Sequence, residues 1–161
     1  GSGISVNPSE TNIVAICCNA IAEIQAIYPK RIFQLQADEK LIGKWDEPRM
    51  NQVLSNLLGN AVQHGAPASP ITVTVEKVKD SIELKVHNVG KPIPEKLLAT
   101  LFDRFVQGKS GFRAAEGHSA SLGLGLYIAK EIVLAHGGKI DVHSSLENGT
   151  TFSVILPINN H

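Results

Sequence analysis

The sequence predicts an α/β sandwich: one mixed, largely antiparallel sheet covered on one face by three helices. Three observations carry that expectation. Apolar residues recur at helical spacing in separate runs and at alternate positions in several short β-rich runs. The runs follow the order helix, strands, helix, hairpin, unpatterned segment, helix, hairpin, which layers helices against one sheet. The 161 residues, 43% hydrophobic and 19% charged, suffice for one domain with a buried core and are too few for two ordinary ones. That domain is expected over residues 3–161, with Gly1-Ser2 read as the scar of a cleaved tag.

The first helix is expected over 8–28, where Ile13, Cys17, Ala20, Ile24 and Ile27 alternate at steps of three and four. Pro29 ends it. Residues 31–36 then alternate like a strand, and Leu41-Ile42 belongs to a short second one. Asp46 is suited to cap a second helix whose first turn accommodates Pro48. It runs to about His64, where Gly65, Pro67 and Pro70 break it. Residues 71–75 and 82–86 alternate on either side of Lys79-Asp80, the pattern of a tight antiparallel hairpin. A short helical piece covers 95–101. From 106 to 121 the pattern lapses into Gly, Ser, Lys and Ala, too long for an ordinary connection and typical of a functional lid. A third helix is expected over about 124–136, stopped by Gly137-Gly138. Two last strands near 139–144 and 151–156 turn at Glu147-Asn148-Gly149.

Fifteen Lys and Arg offset fifteen Asp and Glu, so the formal net charge is zero. Nucleic-acid binding rests on a basic patch that neutralises phosphates, and this balance argues against it. A small phosphorylated ligand held by one backbone loop stays open. No stretch is long and apolar enough to cross a membrane, and no signal peptide is read at the start. No direct membrane contact is expected, and the location is expected to be cytoplasmic, whatever anchors the parent protein. Cys17 and Cys18 are neighbours on a helix and point about 100° apart, which argues against a disulfide between them. Both are expected to be small core fillers in a reduced chain.

Three segments could carry chemistry. On the second helix, Met50, Val53, Leu54, Leu57, Leu58 and Ala61 form an apolar arc bordered by a polar stripe of Asn56, Asn60 and Gln63. Asparagine is a poor interior helix residue. The stripe is either a solvated edge with buried hydrogen bonds, or an oxygen donor for a hard cation such as Mg²⁺. Next, Asn88-Val89-Gly90 follows a strand directly. It is a plain turn, or a place where Asn88 accepts a hydrogen bond from an exocyclic amine while Gly90 permits close approach. Last, Leu122-Gly123-Leu124-Gly125-Leu126 leads into a helix, as a flexible hinge or as a phosphate cradle of backbone N–H groups. Two better-known phosphate motifs fail. Ile128 stands where the dinucleotide fingerprint needs its third Gly, and Asp103 stands where a Walker loop needs its first.

Together and in this order, these segments resemble the ATP-binding catalytic domain of bacterial sensor histidine kinases, within the superfamily that includes gyrase, Hsp90 and MutL. Asn56-Leu57-Leu58-Gly59-Asn60-Ala61-Val62-Gln63-His64-Gly65 looks like the asparagine box, and Asn88-Val89-Gly90-Lys91-Pro92-Ile93 like the first glycine box. Leu101-Phe102-Asp103-Arg104-Phe105 is similar to the phenylalanine box, and Gly123-Leu124-Gly125-Leu126 to the second glycine box. Gly149-Thr150-Thr151-Phe152 falls where the closing strand begins. The match covers nearly the whole chain.

The resemblance implies a Bergerat ATP-binding fold, with ATP and Mg²⁺ held between the asparagine-box helix and a lid at about 106–121. Asn60 is the implied Mg²⁺ ligand and Asn56 its polar support; both are the implied catalytic residues. Gln63 and His64 lie by the phosphates or ribose. Asn88 faces the adenine amino group and Gly90 gives the base room. Gly123 and Gly125 contact phosphates, and Phe102 and Phe105 anchor the lid. Ile93, Leu122, Leu124, Leu126 and Thr151 complete the nucleotide-binding set.

Two departures matter. Position 88 is Asp in most relatives and Asn88 here, so a charge-assisted hydrogen bond to adenine is lost, about 1 kcal/mol. Gln63 replaces a Lys or Arg, a charge that Lys109 or Arg113 in the lid is placed to supply. ATPase members carry Glu where Asn56 stands, and an amide is not a useful general base. The implied reaction is therefore γ-phosphate transfer to a histidine on a separate dimerisation domain of the same protein. A response regulator receiver domain is the onward partner. None of the six histidines stands in a phosphoacceptor context. The alternatives are a degenerate, non-catalytic regulatory domain of the same fold, and an anti-sigma or serine kinase module.

Overall fold

A computed structural model describes residues 3–38, 40–104 and 119–159, the backbone alone for 119–123. The expected lid residues 106–118, with Lys109 and Arg113, and also Phe105, lie outside the described residues.

The chain opens on strand β1 (Ser9–Asn12) and not on the helix expected from residue 8. Asn12 is why the helix begins later: its Oδ1 accepts from Val14 N at 3.1 Å and from Leu41 N at 3.0 Å, capping α1 (Ile13–Ile27). Ile13, Cys17, Ala20 and Ile24 of α1 are buried as expected, but Ile27 is 67% exposed, since the last turn runs past the core. Cys18 is also exposed while Cys17 is buried, because two neighbours on a helix cannot share one face. Burial, with Cys18 alongside, pushes the Cys17 thiol up to about 12.

Strands β2 (Phe33–Ala37) and β3 (Ile42–Trp45) precede α2 (Glu47–His64), and β4 (Ile71–Val78) and β5 (Ser81–Asn88) follow it. Asp46 caps α2, its Oδ1 accepting from Arg49 N at 3.2 Å, with Pro48 in the first turn. The β4–β5 hairpin closes on Lys79, which adopts φ 57°, as a two-residue turn requires. After α3 (Glu95–Leu98) come α4 (Ser119–Ala135), β6 (Lys139–Ser145) and β7 (Gly149–Pro157).

The main sheet has five strands in the order β2-β4-β5-β7-β6, with β2 parallel to β4 and every other pair antiparallel. Helices pack on one face. The alternating residues Ile71, Val73, Val75, Ile82, Leu84, Val86, Phe152, Val154 and Leu156 are buried beneath them. Helix α2 lies between α1 and α4 and rests on β4 and β5. All six residues of its predicted apolar arc are 0–2% exposed, each burial stabilising by about 1.5–3 kcal/mol for the larger side chains. A second, two-stranded ribbon of β1 and β3 was not expected. It is joined to the end of β7 by Trp45, whose Nε1 donates to Pro157 O at 3.0 Å.

Helix α4 begins at Ser119, five residues before the expected start. Sequence reasoning treats Gly123 and Gly125 as breakers. A buried stripe of Leu126, Ala129, Ile132 and Val133 holds the helix against α2, and its ladder continues back through both glycines. Residues 119–121 of the expected lid therefore belong to this helix.

Candidate functional site

The buried part of the polar stripe on α2 faces the groove between α2 and α4. Asn56 is half-buried, and its Nδ2 donates to Gly125 O at 3.0 Å. The asparagine box and the second glycine box are thus brought together, and a Cβ on Gly125 would stand 3.4 Å from the Asn56 carboxamide carbon. One turn later Asn60 is 2% exposed, and no side-chain hydrogen bond ties its amide to a described residue. An amide oxygen without a partner among the described residues keeps its full capacity for a hard cation. Gln63 and His64, at the end of α2, are exposed. Protein crowding still displaces water from the His64 imidazole and lowers its pKa below the ordinary 6.5.

Asn88 ends β5, 2% exposed, with one stretched hydrogen bond from Nδ2 to Val89 O at 3.4 Å. Gly90 has φ 154°, and a Cβ there would meet His64 O at 2.9 Å and Ala66 N at 3.2 Å. Only a glycine lets the first glycine box cross the end of α2 so closely. Ile93 N donates to Ser144 Oγ at 2.8 Å, and Ser144 Oγ lies 2.6 Å from Thr150 Oγ1. Phe102 is half-buried edge-on against Phe152, with centroids 6.0 Å apart, and Lys130 Nζ stands 5.9 Å from its ring. The Arg104 guanidinium lies 5.4 Å from the Tyr127 ring. Phe102 and Arg104 are thus packed against α4 and β7.

Two expectations are corrected. Thr151 points away from the site: it pairs with the outward His87, whereas Thr150 is 3% exposed and pairs with Asn88. The signal was present in the sequence, because inward Phe152, Val154 and Leu156 put every even position on the helix side. Gly123 and Gly125 do not open a helix. The unsatisfied N–H groups belong to the first turn from Ser119, so in this conformation these amides fall within the helical ladder. Leu126 is buried at 1% and serves the core, and Leu124 is half-buried. Sequence reasoning also missed Ser144, which carries no motif and bridges Ile93 and Thr150.

A helix-covered mixed sheet, with paired asparagines on its central helix and a glycine-bounded Asn88 at the end of β5, defines a domain of the Bergerat ATP-binding class. The chain belongs to the histidine kinase-, DNA gyrase B- and HSP90-like ATPase family, whose sequence profile matches residues 45–160. It is 33% identical over 158 residues to a bacteriophytochrome of Pseudomonas aeruginosa, covering 98% of this chain and 21% of that protein. It is 34% identical over 144 residues to the signal transduction histidine-protein kinase AfsQ2 of Streptomyces coelicolor, covering 89% of this chain and 25% of that one. The catalytic domain of histidine kinase ThkA superposes with a TM-score of 0.80 at 28% identity, over 96% of this chain and 98% of the other. Within the family the chain is of the sensor histidine kinase catalytic-domain type. It spans only about a fifth to a quarter of the length of the curated relatives it matches.

Proposed function

We propose that this domain binds Mg²⁺–ATP and donates the γ-phosphate to a histidine on a separate dimerisation domain of its parent protein. The observation that supports the reading is Asn60: a 2% exposed residue one turn after Asn56, whose amide has no hydrogen bond to a described residue. Its oxygen suits Mg²⁺, and Asn56 beside it fixes the neighbouring helix through Gly125. Asn88 would take the base, Gly90 would admit it, and Gln63 and His64 would stand by the ribose or phosphates. Bound Mg²⁺ would supply neutralisation of phosphate charge. Phosphoryl transfer needs positioning and electrostatics more than covalent help, and the described residues offer no general base at Asn56.

The onward partner in this reading is a response regulator. ThkA, 28% identical over 94% of this chain, was solved in complex with the response regulator protein TrrA. The test is to mix the chain with its dimerisation domain and γ-labelled ATP. Acid-labile label on that domain is expected, and label released only as inorganic phosphate would overturn the reading.

A further inference from the structure

Two polar residues, Arg31 and Asn88, lie against Gly65. A Cβ on Gly65 would stand 3.0 Å from Asn88 Cβ and 3.3 Å from Arg31 Nη2. Among the described residues Arg31 makes one stretched hydrogen bond, from Nη1 to Val62 O at 3.4 Å, while its Nε and Nη2 are sealed from water and find no acceptor there. A guanidinium is always charged, and donors left in this state attract the nearest acceptor. Asn88 is the neighbouring amide. Its own bond to Val89 O is long at 3.4 Å, and the hydroxyl of Thr150 across the strand pair is already engaged with Ser144. Neither end of the Asn88 amide is therefore committed to a strong partner.

The amide dipole is lower in energy with its oxygen toward the guanidinium and its NH₂ toward the ligand. A carboxylate can only accept hydrogen bonds, whereas this amide presents a donor as readily as an acceptor. Adenine offers an amino group at its 6-position; hypoxanthine and guanine offer a carbonyl oxygen. A site that discriminates through one buried hydrogen bond changes its preference when donor and acceptor are exchanged.

We infer that Asn88, oriented by Arg31, opens this site to 6-oxopurine nucleoside triphosphates alongside ATP. The inference rests on the proposed nucleotide site and names its substrate class more closely. The decisive comparison is calorimetric titration of the 161-residue chain with ATP and with inosine triphosphate, both with Mg²⁺. Inosine triphosphate differs from ATP only at the 6-substituent and the N1 proton. A Kd within tenfold of that for ATP is expected. A Kd more than tenfold weaker overturns this inference and leaves the ATP site standing, while failure of ATP itself to bind removes both. In Asn88→Asp, checked for folding by circular dichroism, the preference for ATP should rise at least tenfold. In Arg31→Gln it should move the same way, and an unchanged ratio there overturns the orienting role of Arg31. If either variant fails to fold, the wild-type ratio decides.

Discussion

Asn56 and Asn60 sit one turn apart on the same helix, and their environments separate their roles. Asn56 spends its NH₂ on the Gly125 carbonyl, so it ties α4 to α2; Asn60 makes no such bond to a described residue, which is why it is the proposed Mg²⁺ ligand. The sequence made both visible as a costly pair in a helix interior, but could not divide the roles, because the division depends on a residue 69 positions away. His64 offers a residue-scale test. Desolvation lowers its pKa, so the folded chain binds this proton less readily than the unfolded chain. Stability should therefore fall as the pH drops below about 6.5, the ordinary histidine value, toward the lowered one. An NMR titration should place the His64 midpoint below 6.5 in the free chain. Mg²⁺–ATP should move it upward, since phosphate charge favours the imidazolium; a midpoint indifferent to nucleotide would remove His64 from the site.

Among the elements, α2 carries the most, and its start is fixed by one side chain. Asp46 accepts from Arg49 N and, through Oδ2, from Asn7 N at 2.8 Å. The backbone N–H of Asp46 donates to Nε2 of the buried His136, whose Nδ1 lies 2.9 Å from Ile132 O. Replacing Asp46 by Ala should cost about 1–2 kcal/mol in a urea melt, with Asp46→Asn retaining most of it. Equal loss in both would show that charge, and not capping, is what matters there. The cap, the apolar arc and the hairpin were legible because each is written in residues close in sequence. The β1–β3 ribbon was not, since its pairing and its Trp45 anchor depend on the far end of β7. The start of α4 was misplaced for a similar reason: glycine lowers helix propensity by about 1 kcal/mol, and packing against α2 overrides it. Thr150 was legible from strand alternation, although the motif drew attention to Thr151.

Across the whole molecule, the candidate site is assembled from parts distant in sequence. The end of β5 brings Asn88, α2 brings Asn60, α4 brings Gly125, and β7 brings Thr150, whose hydroxyl meets Ser144 of β6. None of these elements could form the groove alone, and the buried face of the sheet is what holds them in register. The chain is a domain of the histidine kinase-, DNA gyrase B- and HSP90-like ATPase family, and the proposed phosphoryl transfer to a separate acceptor needs no general base at Asn56. The most direct measurement is calorimetric titration of the purified chain with ATP, with and without Mg²⁺, alongside Asn60→Ala. One nucleotide per chain is expected, bound more tightly with Mg²⁺ in the wild type and without that gain in Asn60→Ala. Absence of binding at millimolar ATP, or an unchanged Mg²⁺ gain in the variant, would contradict the account.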